Sequence, residues 1–190
     1  MKSKDLESYI LTFENNFEKD FCNETIKQIE EKLEFNTHTF FYPETGEYIV
    51  ESGSKELETA YGDIENTPII IDKIWHTIKE YVATFNFPWF PGWDGFSAPK
   101  FNRYVETKIM AEHCDHIRDL FEGERRGIPI LTVLTMLNDD YEGGELVFFE
   151  DVIYKQKQGS TIIFPSNFLY PHRVDPVLKG VRYSFANWVW

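Results

Sequence analysis

Residues 130–149 read ILTVLTMLNDDYEGGELVFF, and residues 159–190 read GSTIIFPSNFLYPHRVDPVLKGVRYSFANWVW. Short β-branched and aromatic runs alternate here with Gly, Asn, Asp and Pro, the punctuation of consecutive strands. The runs are Ile130–Leu137, Glu145–Phe149, Ser160–Phe164 and Val181–Val189, with Phe101–Met110 ahead of them. Between the first half and these runs lies NFPWFPGWDGFSAP (Asn86–Pro99), whose three prolines cannot continue a helix.

Upstream the pattern is different. Ser8–Phe13 alternates loosely and predicts a short strand. Glu18–Phe35 predicts a helix, with Phe21, Cys22, Ile26, Ile29 and Leu33 at helical spacing. Thr37–Ser54 reads as loop with some strand. A second helix follows, with Thr67 as candidate cap, Pro68 at the first helical position, and an apolar stripe of Ile71, Ile74, Trp75, Ile78, Val82 and Phe85. Helices first and many short strands later predict a mainly β chain with supporting α-helices, an α+β arrangement. The strand spacing fits a closed sandwich or jelly roll. One domain is expected over 1–190, with residues 1–99 as helical and strand support and 100–190 as the core.

Composition narrows the function. The chain has 190 residues, 19 Lys+Arg against 32 Asp+Glu, a net charge of −13 and a pI near 4.8. A broad phosphate-binding surface would be basic, so nucleic acid is a disfavoured partner. Apolar residues at 42% and aromatics at 17% suffice for one packed core. Cys22 and Cys114 form no CxxC pair and suggest neither a zinc ribbon nor a disulfide scaffold, which fits a reducing compartment. Met1–Ser8 has no apolar stretch typical of a signal peptide, and no run is long enough to span a bilayer, so a cytoplasmic protein with no membrane partner is expected.

Of five histidines, two stand out by context. His113-Cys114-Asp115 follows the run Phe101–Met110, and in extended chain residues two apart share a face. His172 follows the run Ser160–Phe164 and a proline-flanked loop. Two imidazoles and a carboxylate make a facial triad that leaves positions open on an octahedral ion, the ligand set suited to non-heme Fe(II). Arg182 offers a rigid fork for a carboxylate, and Ser184 shares its strand face. Together they could anchor the distal end of a dicarboxylate whose 2-oxo acid end chelates the metal.

These residues resemble the 2-oxoglutarate/Fe(II)-dependent oxygenases, closest to their prolyl 4-hydroxylase-like branch. The matching segments are Arg103-Tyr104, HCD, the stretch from Leu131 to Phe149, the stretch from Gly159 to Ser184, and Trp188, so the likeness covers about Lys100–Trp190. It implies a double-stranded β-helix (cupin-like) core with the N-terminal helices packed on one sheet. It also implies metal ligation by His113, Asp115 and His172. 2-Oxoglutarate would be held by Arg182, with Tyr104, Ser184, Thr132 and Trp188 as further cosubstrate contacts. The implied cofactors are Fe(II), 2-oxoglutarate and O2, with ascorbate as a reductant. The implied reaction hydroxylates a C–H bond, most simply on a prolyl residue of a peptide or protein, and yields succinate and CO2. The chain departs from the family at Thr107, where a glycine is usual, and at Met136, where a tyrosine often supports the cosubstrate. Arg182 takes the place of a lysine found in many prolyl 4-hydroxylases.

Other features have plainer readings. His116 is read as surface or supporting, and Cys114 as facing away from the metal. Phe85–Phe96 is read as an aromatic plug of the helix–sheet seam, and alternatively as a wall of the substrate groove. Phe121–Gly127 is read as a solvated loop, DDYEGG (Asp139–Gly144) as a hairpin turn, and Pro165-Ser166 as a turn. Trp188 and Trp190 are read as core, with Trp188 bordering the pocket. Two rival functions stand beside the peptidyl one: hydroxylation of a free amino acid or other small molecule, and a cupin-like binding protein without catalysis. The oligomeric state is not legible.

Overall fold

A computed structural model describes residues 3–42, 47–49, 55–86, 95–115 and 129–190. The first half carries α1 (Ser3–Glu7), β1 (Leu11–Phe13), α2 (Lys19–Lys32), β2 (Asn36–Thr37), β3 (Phe40–Tyr42), β4 (Glu47–Ile49), β5 (Glu58–Ala60) and α3 (Thr67–Phe85). The second half carries β6 (Lys100–Tyr104), β7 (Met110–His113), β8 (Leu131–Met136), β9 (Glu142–Gly143), β10 (Leu146–Phe148), β11 (Val152–Tyr154), β12 (Thr161–Pro165), β13 (His172–Val174), β14 (Val177–Lys179) and β15 (Arg182–Val189).

Two antiparallel sheets make the core. The larger has seven strands in the order β1-β12-β8-β15-β6-β5-β2, and the smaller has four in the order β11-β10-β13-β7. Side chains along the large sheet alternate between two apolar layers, as strand geometry requires. Phe101, Val133, Ile163 and Phe185 face the helices, where they pack with Ile29, Ile70, Ile74 and Ile78. Their strand neighbours Tyr104, Leu134, Ile162, Phe164 and Ala186 face the small sheet and pack with Leu146, Phe148 and Val174. Each fully buried isoleucine of the helical layer contributes about 1.5–3 kcal/mol. The result is the expected double-stranded β-helix, with α2 and α3 covering one sheet.

Helix α3 is rotated from its expected stripe. Ile70, Ile74, Thr77, Ile78 and Tyr81 are its buried residues, whereas Trp75 is exposed and stacks on Phe96 at 6.3 Å. Polar anchors select this face. Thr77 bonds with Asn16, and the Tyr81 hydroxyl donates to the Tyr9 carbonyl at 2.7 Å. Thr67 is the first residue of the helix rather than its cap, and Asn66 holds the cap position. Buried Asn66 ties α3 to α2, donating from Nδ2 to Thr25 Oγ1 at 2.8 Å and from its backbone N–H to Gln28 Oε1 at 3.0 Å. Phe85 and Phe96, the described ends of the aromatic segment, pack on the helical layer as the plug reading expects. The intervening residues lie outside the described ones, as do His116 and Phe121–Gly127.

Several local readings change. The expected strand Phe101–Met110 is two strands in different sheets, β6 and β7, joined by a turn in which Lys108 N–H donates to the Val105 carbonyl at 3.0 Å. No glycine or proline marks that turn. Thr107 takes its left-handed position with φ of 72°. Asp139–Gly144 is not a hairpin, because β8 and β10 belong to different sheets; Glu142–Gly143 form β9 and pair with β14. Gly143 has φ of 76°, and an added Cβ would press against the Pro176 carbonyl. The turn expected at Pro165-Ser166 lies at 167–169, and Pro165 ends β12. The short elements α1, β5, β11, β13 and β14 went unmarked in the sequence. Both cysteines are free. Among the described residues no helix is long and apolar enough to cross a membrane.

Candidate metal and cosubstrate site

His113 ends β7, His172 begins β13, and the two residues are direct partners across the antiparallel pair. This register brings their rings to 4.3 Å between centroids. Asp115, two residues beyond His113, faces both imidazoles. Its Oδ1 lies 3.3 Å from His113 Nε2 and its Oδ2 lies 3.6 Å from His172 Nε2. One ligand atom from each of the three residues falls within 4.8 Å of the others.

The backbone orients both rings in the same way. His113 Nδ1 lies 2.8 Å from the Ala111 carbonyl, and His172 Nδ1 lies 3.1 Å from the Tyr170 carbonyl. A carbonyl only accepts, so each Nδ1 carries the proton and each Nε2 presents its lone pair to the cluster. His172 is further fixed by Phe148 and Phe164, with ring centroids 5.3 and 5.0 Å away. Burial, reinforced by the neighbouring His113, pushes the His172 imidazole down to about 4, with Asp115 and the Tyr170 carbonyl opposing. Burial alone would raise the Asp115 carboxyl. The neighbouring imidazoles and the Thr132 hydroxyl outweigh that and hold it well below the usual carboxylate range. A neutral imidazole beside an ionised carboxylate is the donor chemistry that a divalent ion needs. The three residues therefore fit a resident Fe(II) with open positions.

The other expected residues line the same interior. Arg182 begins β15, is 1% exposed, and pairs in register with Tyr104 of β6. Its guanidinium donates to Ser184 Oγ at 3.3 Å and to Met136 Sδ at 3.3 Å, and its Cζ stands 4.7 Å from the Tyr104 ring centre. Among the described residues Arg182 Nε has no hydrogen-bond partner. A buried guanidinium whose neighbours include the Ser184 hydroxyl, the Met136 thioether and the Tyr104 ring and hydroxyl carries the fork of donors that suits a carboxylate. Burial pushes the Tyr104 hydroxyl up to about 12, so it stays neutral. Thr132 turns to the metal cluster instead of toward Arg182. It donates to Asp115 Oδ2 at 2.8 Å and shares a 2.7 Å bond with Ser166. Trp188 pairs with Thr132 and borders the cleft, as expected. Cys114 is not part of the metal cluster.

Against this geometry the comparisons are specific. A family model described as the 2OG-Fe(II) oxygenase superfamily matches residues 99–190. Over those residues, just under half of the chain, the protein is similar to that superfamily. A PKHD-type hydroxylase of Idiomarina loihiensis is 38% identical over 92 residues, covering 46% of this chain and 39% of the relative. The chain thus spans about two-fifths of the length of the curated relatives it matches. A prolyl-4-hydroxylase from Pseudomonas putida aligns with TM-score 0.66 at 18% identity, covering 98% of this chain and 95% of that one. A prolyl hydroxylase from Trichoplax adhaerens, solved with a hypoxia-inducible-factor peptide fragment, aligns with TM-score 0.70 at 16% identity, covering 100% and 94%. At such identities the structures establish a shared fold, and the oxygenase family rests on the matched C-terminal half.

Sequence reasoning missed two side chains beside the cluster. Lys100 is 6% exposed, lines the cleft, and holds Nζ 5.2 Å from the Trp188 ring centre. Burial pushes its ammonium down to about 8, with Asp115 opposing. His38 is near enough that Lys100 and His113 add to burial in pushing its imidazole down to about 3. The signal for Lys100 was available. It is the first of three residues, Lys100, Asn102 and Tyr104, spaced two apart on a strand, so it shares the interior face of a tyrosine already assigned to the site.

Proposed function

We propose that this chain is an Fe(II)- and 2-oxoglutarate-dependent dioxygenase that hydroxylates a C–H bond, with a prolyl residue of a peptide or protein as substrate. The observation that carries the reading is the joint presence of the His113–Asp115–His172 cluster and the buried guanidinium of Arg182 on facing sheets of one interior. A binding protein that no longer catalyses would need neither the complete cluster nor an interior arginine beside it. The prolyl substrate rests on the prolyl hydroxylases among the structural neighbours, one of them solved with a peptide.

In this reading His113, Asp115 and His172 hold Fe(II), which supplies the oxidative chemistry that converts 2-oxoglutarate and O2 to succinate and CO2 while the substrate gains a hydroxyl. The chain's own residues do the positioning. Thr132 and the Ala111 and Tyr170 carbonyls fix the ligands. Arg182, with Ser184 beside it, takes the distal carboxylate of 2-oxoglutarate in a charge-assisted pair. Tyr104 closes one side of that pair with a neutral ring. Apolar Leu134, Phe164 and Ala186 line the cleft and keep water from the reacting centre.

The test is incubation of anaerobically purified protein with Fe(II), 2-oxoglutarate, O2 and a library of proline-containing peptides, following succinate and products heavier by one oxygen. A hydroxylated peptide with matched succinate is expected. Alanine at His113, Asp115 or His172 should abolish 2-oxoglutarate turnover, and near-normal turnover in all three would overturn the assignment. Lys100 favours a second reading, a small-molecule acid as substrate, because a buried cation in the cleft is an unusual neighbour for a neutral prolyl ring.

A further inference from the structure

The inner row of the large sheet ends in two buried cations. Arg182 pairs across the sheet with Tyr104, and Lys100 pairs with Ala186. Four residues along a strand span roughly 13 Å. Their heads are also kept apart. The Arg182 guanidinium stands over Tyr104 and touches Met136, while the Lys100 ammonium stands over Trp188. Trp188 in turn pairs with Thr132, whose hydroxyl holds Asp115. Arg182 is therefore at one end of the row, and Lys100 is at the end where the metal ligands are anchored.

Lys100 has no hydrogen-bond or salt-bridge partner among the described residues, and its recorded neighbour is an aromatic face. A buried ammonium left this way costs stability unless something else pairs with it. Of the site's charges Asp115 favours the ammonium form, and a divalent ion held by that carboxylate would take up its charge. One carboxylate cannot serve both cations, given their separation along β6.

We infer that Lys100 is a specificity-determining residue that receives a carboxylate of the substrate, so that the hydroxylated molecule is an acid held between the Lys100 ammonium and the Trp188 ring on the metal side of the cleft. The inference rests on the oxygenase reading above and refines its substrate class. The carboxylate could belong to a free amino acid or to an acidic residue beside the target in a peptide, and the chemistry at Lys100 is the same for both.

The test uses the full chain, loaded anaerobically with Fe(II) and 2-oxoglutarate so that nothing turns over. It is titrated with the L-amino acids, each against its carboxamide, and with end-blocked prolyl peptides containing Asp or Glu against the same peptides with Asn or Gln. Binding is read as a rise in Tm, and then, once O2 is admitted, as stimulated succinate release. A charge-assisted hydrogen bond predicts that acids bind about tenfold more tightly than their amides. Lys100→Met should erase the preference. Free acids responding would place the carboxylate on a small molecule, and acidic peptides alone responding would place it on a side chain. Equal binding of acids and amides, no binding by any acid, or a preference that survives Lys100→Met would overturn the inference. So would a rise in the KM for 2-oxoglutarate in Lys100→Met as large as that in Arg182→Ala, since that assigns Lys100 to the cosubstrate. Should Lys100→Met fail to fold, the acid-against-amide comparison in the native chain still decides. Native protein that yields no 2-oxoglutarate-dependent succinate is a distinct result. It defeats the oxygenase reading, while the Tm titration continues to report on Lys100.

Discussion

Thr132 Oγ1 donates to Asp115 Oδ2 at 2.8 Å, so a strand of the large sheet holds a metal ligand that arises at the edge of the small one. The oxygen that accepts this bond also faces His172 Nε2 at 3.6 Å, and the hydroxyl is itself steadied by Ser166. Thr132→Val keeps the shape of the side chain and removes the bond. Support of this kind is worth about 10–100-fold in metal affinity. Titration of the variant with Fe(II), or with Co(II) as a spectroscopic probe, should show a loss in that range with little change in fold. Native affinity would mean that Asp115 is fixed by other contacts.

Arg182 carries an opposite pair of expectations. It is 1% exposed, and among the described residues Nε has no hydrogen bond while the recorded partners of the other nitrogens are neutral groups. Replacing such a charge by an apolar side chain of similar length is often neutral or stabilising by about 1–4 kcal/mol. Arg182→Met should leave ligand-free stability unchanged or raised in urea denaturation. The same variant should lose the rise in Tm that 2-oxoglutarate gives the metal-loaded native chain. Retention of that rise would remove Arg182 from the cosubstrate site.

Thr107 occupies a left-handed backbone position, φ 72°, and its N–H donates to the Val177 carbonyl at 2.8 Å. A β-branched residue there is strained by about 1–3 kcal/mol. Glycine is free of that strain but loses more chain entropy on folding. Thr107→Gly should therefore stabilise by about 1 kcal/mol, read as a shift in the urea midpoint at constant slope. A destabilised variant would show that the threonine side chain makes a contact worth more than the strain.

Acid should weaken the metal-free fold through His172. Burial holds its imidazole down to about 4 from an ordinary 6.5. Between those values the unfolded chain takes up a proton that the native one refuses, so stability falls as pH drops through the window. Asp115, held below the usual carboxylate range, loses its own contribution only at still lower pH. Urea midpoints measured from pH 7 to 4 should decline, and His172→Gln should flatten the upper part of that decline.

How far the sequence could be read follows from what each residue signals locally. His113, Asp115, His172 and Arg182 were legible because a ligand set is a chemical pattern with an order along the chain, even though β13 went unmarked and β7 was merged with β6. The turn at 105–108 was not legible, since Val105, Glu106, Thr107 and Lys108 contain no turn-forming residue and Thr107 is held at its φ by a hydrogen bond to Val177 of β14. Two-residue and three-residue strands such as β9 and β14 offer too few positions for a period to appear. The face of α3 was misjudged because its apolar arc is broader than the buried stripe and takes in the exposed Trp75. Thr77 and Tyr81, one polar and one amphipathic, decide the rotation through single hydrogen bonds to distant segments. Lys100 escaped notice because a lone lysine in an acidic chain reads as surface, and only its register with Ala186 turns it inward.

The pairing of His113 with His172 has a mechanical consequence. Among the described residues strand β7 is the edge of the small sheet and is joined to β13 through two register pairs, His172 with His113 and Val174 with Met110, with an irregularity between them. An ion gripped by both imidazoles would rivet that loosely stitched margin, making the border strand cooperative with the strand beside it. Amide protons of residues 110–113 should then exchange with solvent much more slowly in metal-loaded protein than in metal-free protein, so that the rim of the sheet itself becomes a gauge of occupancy.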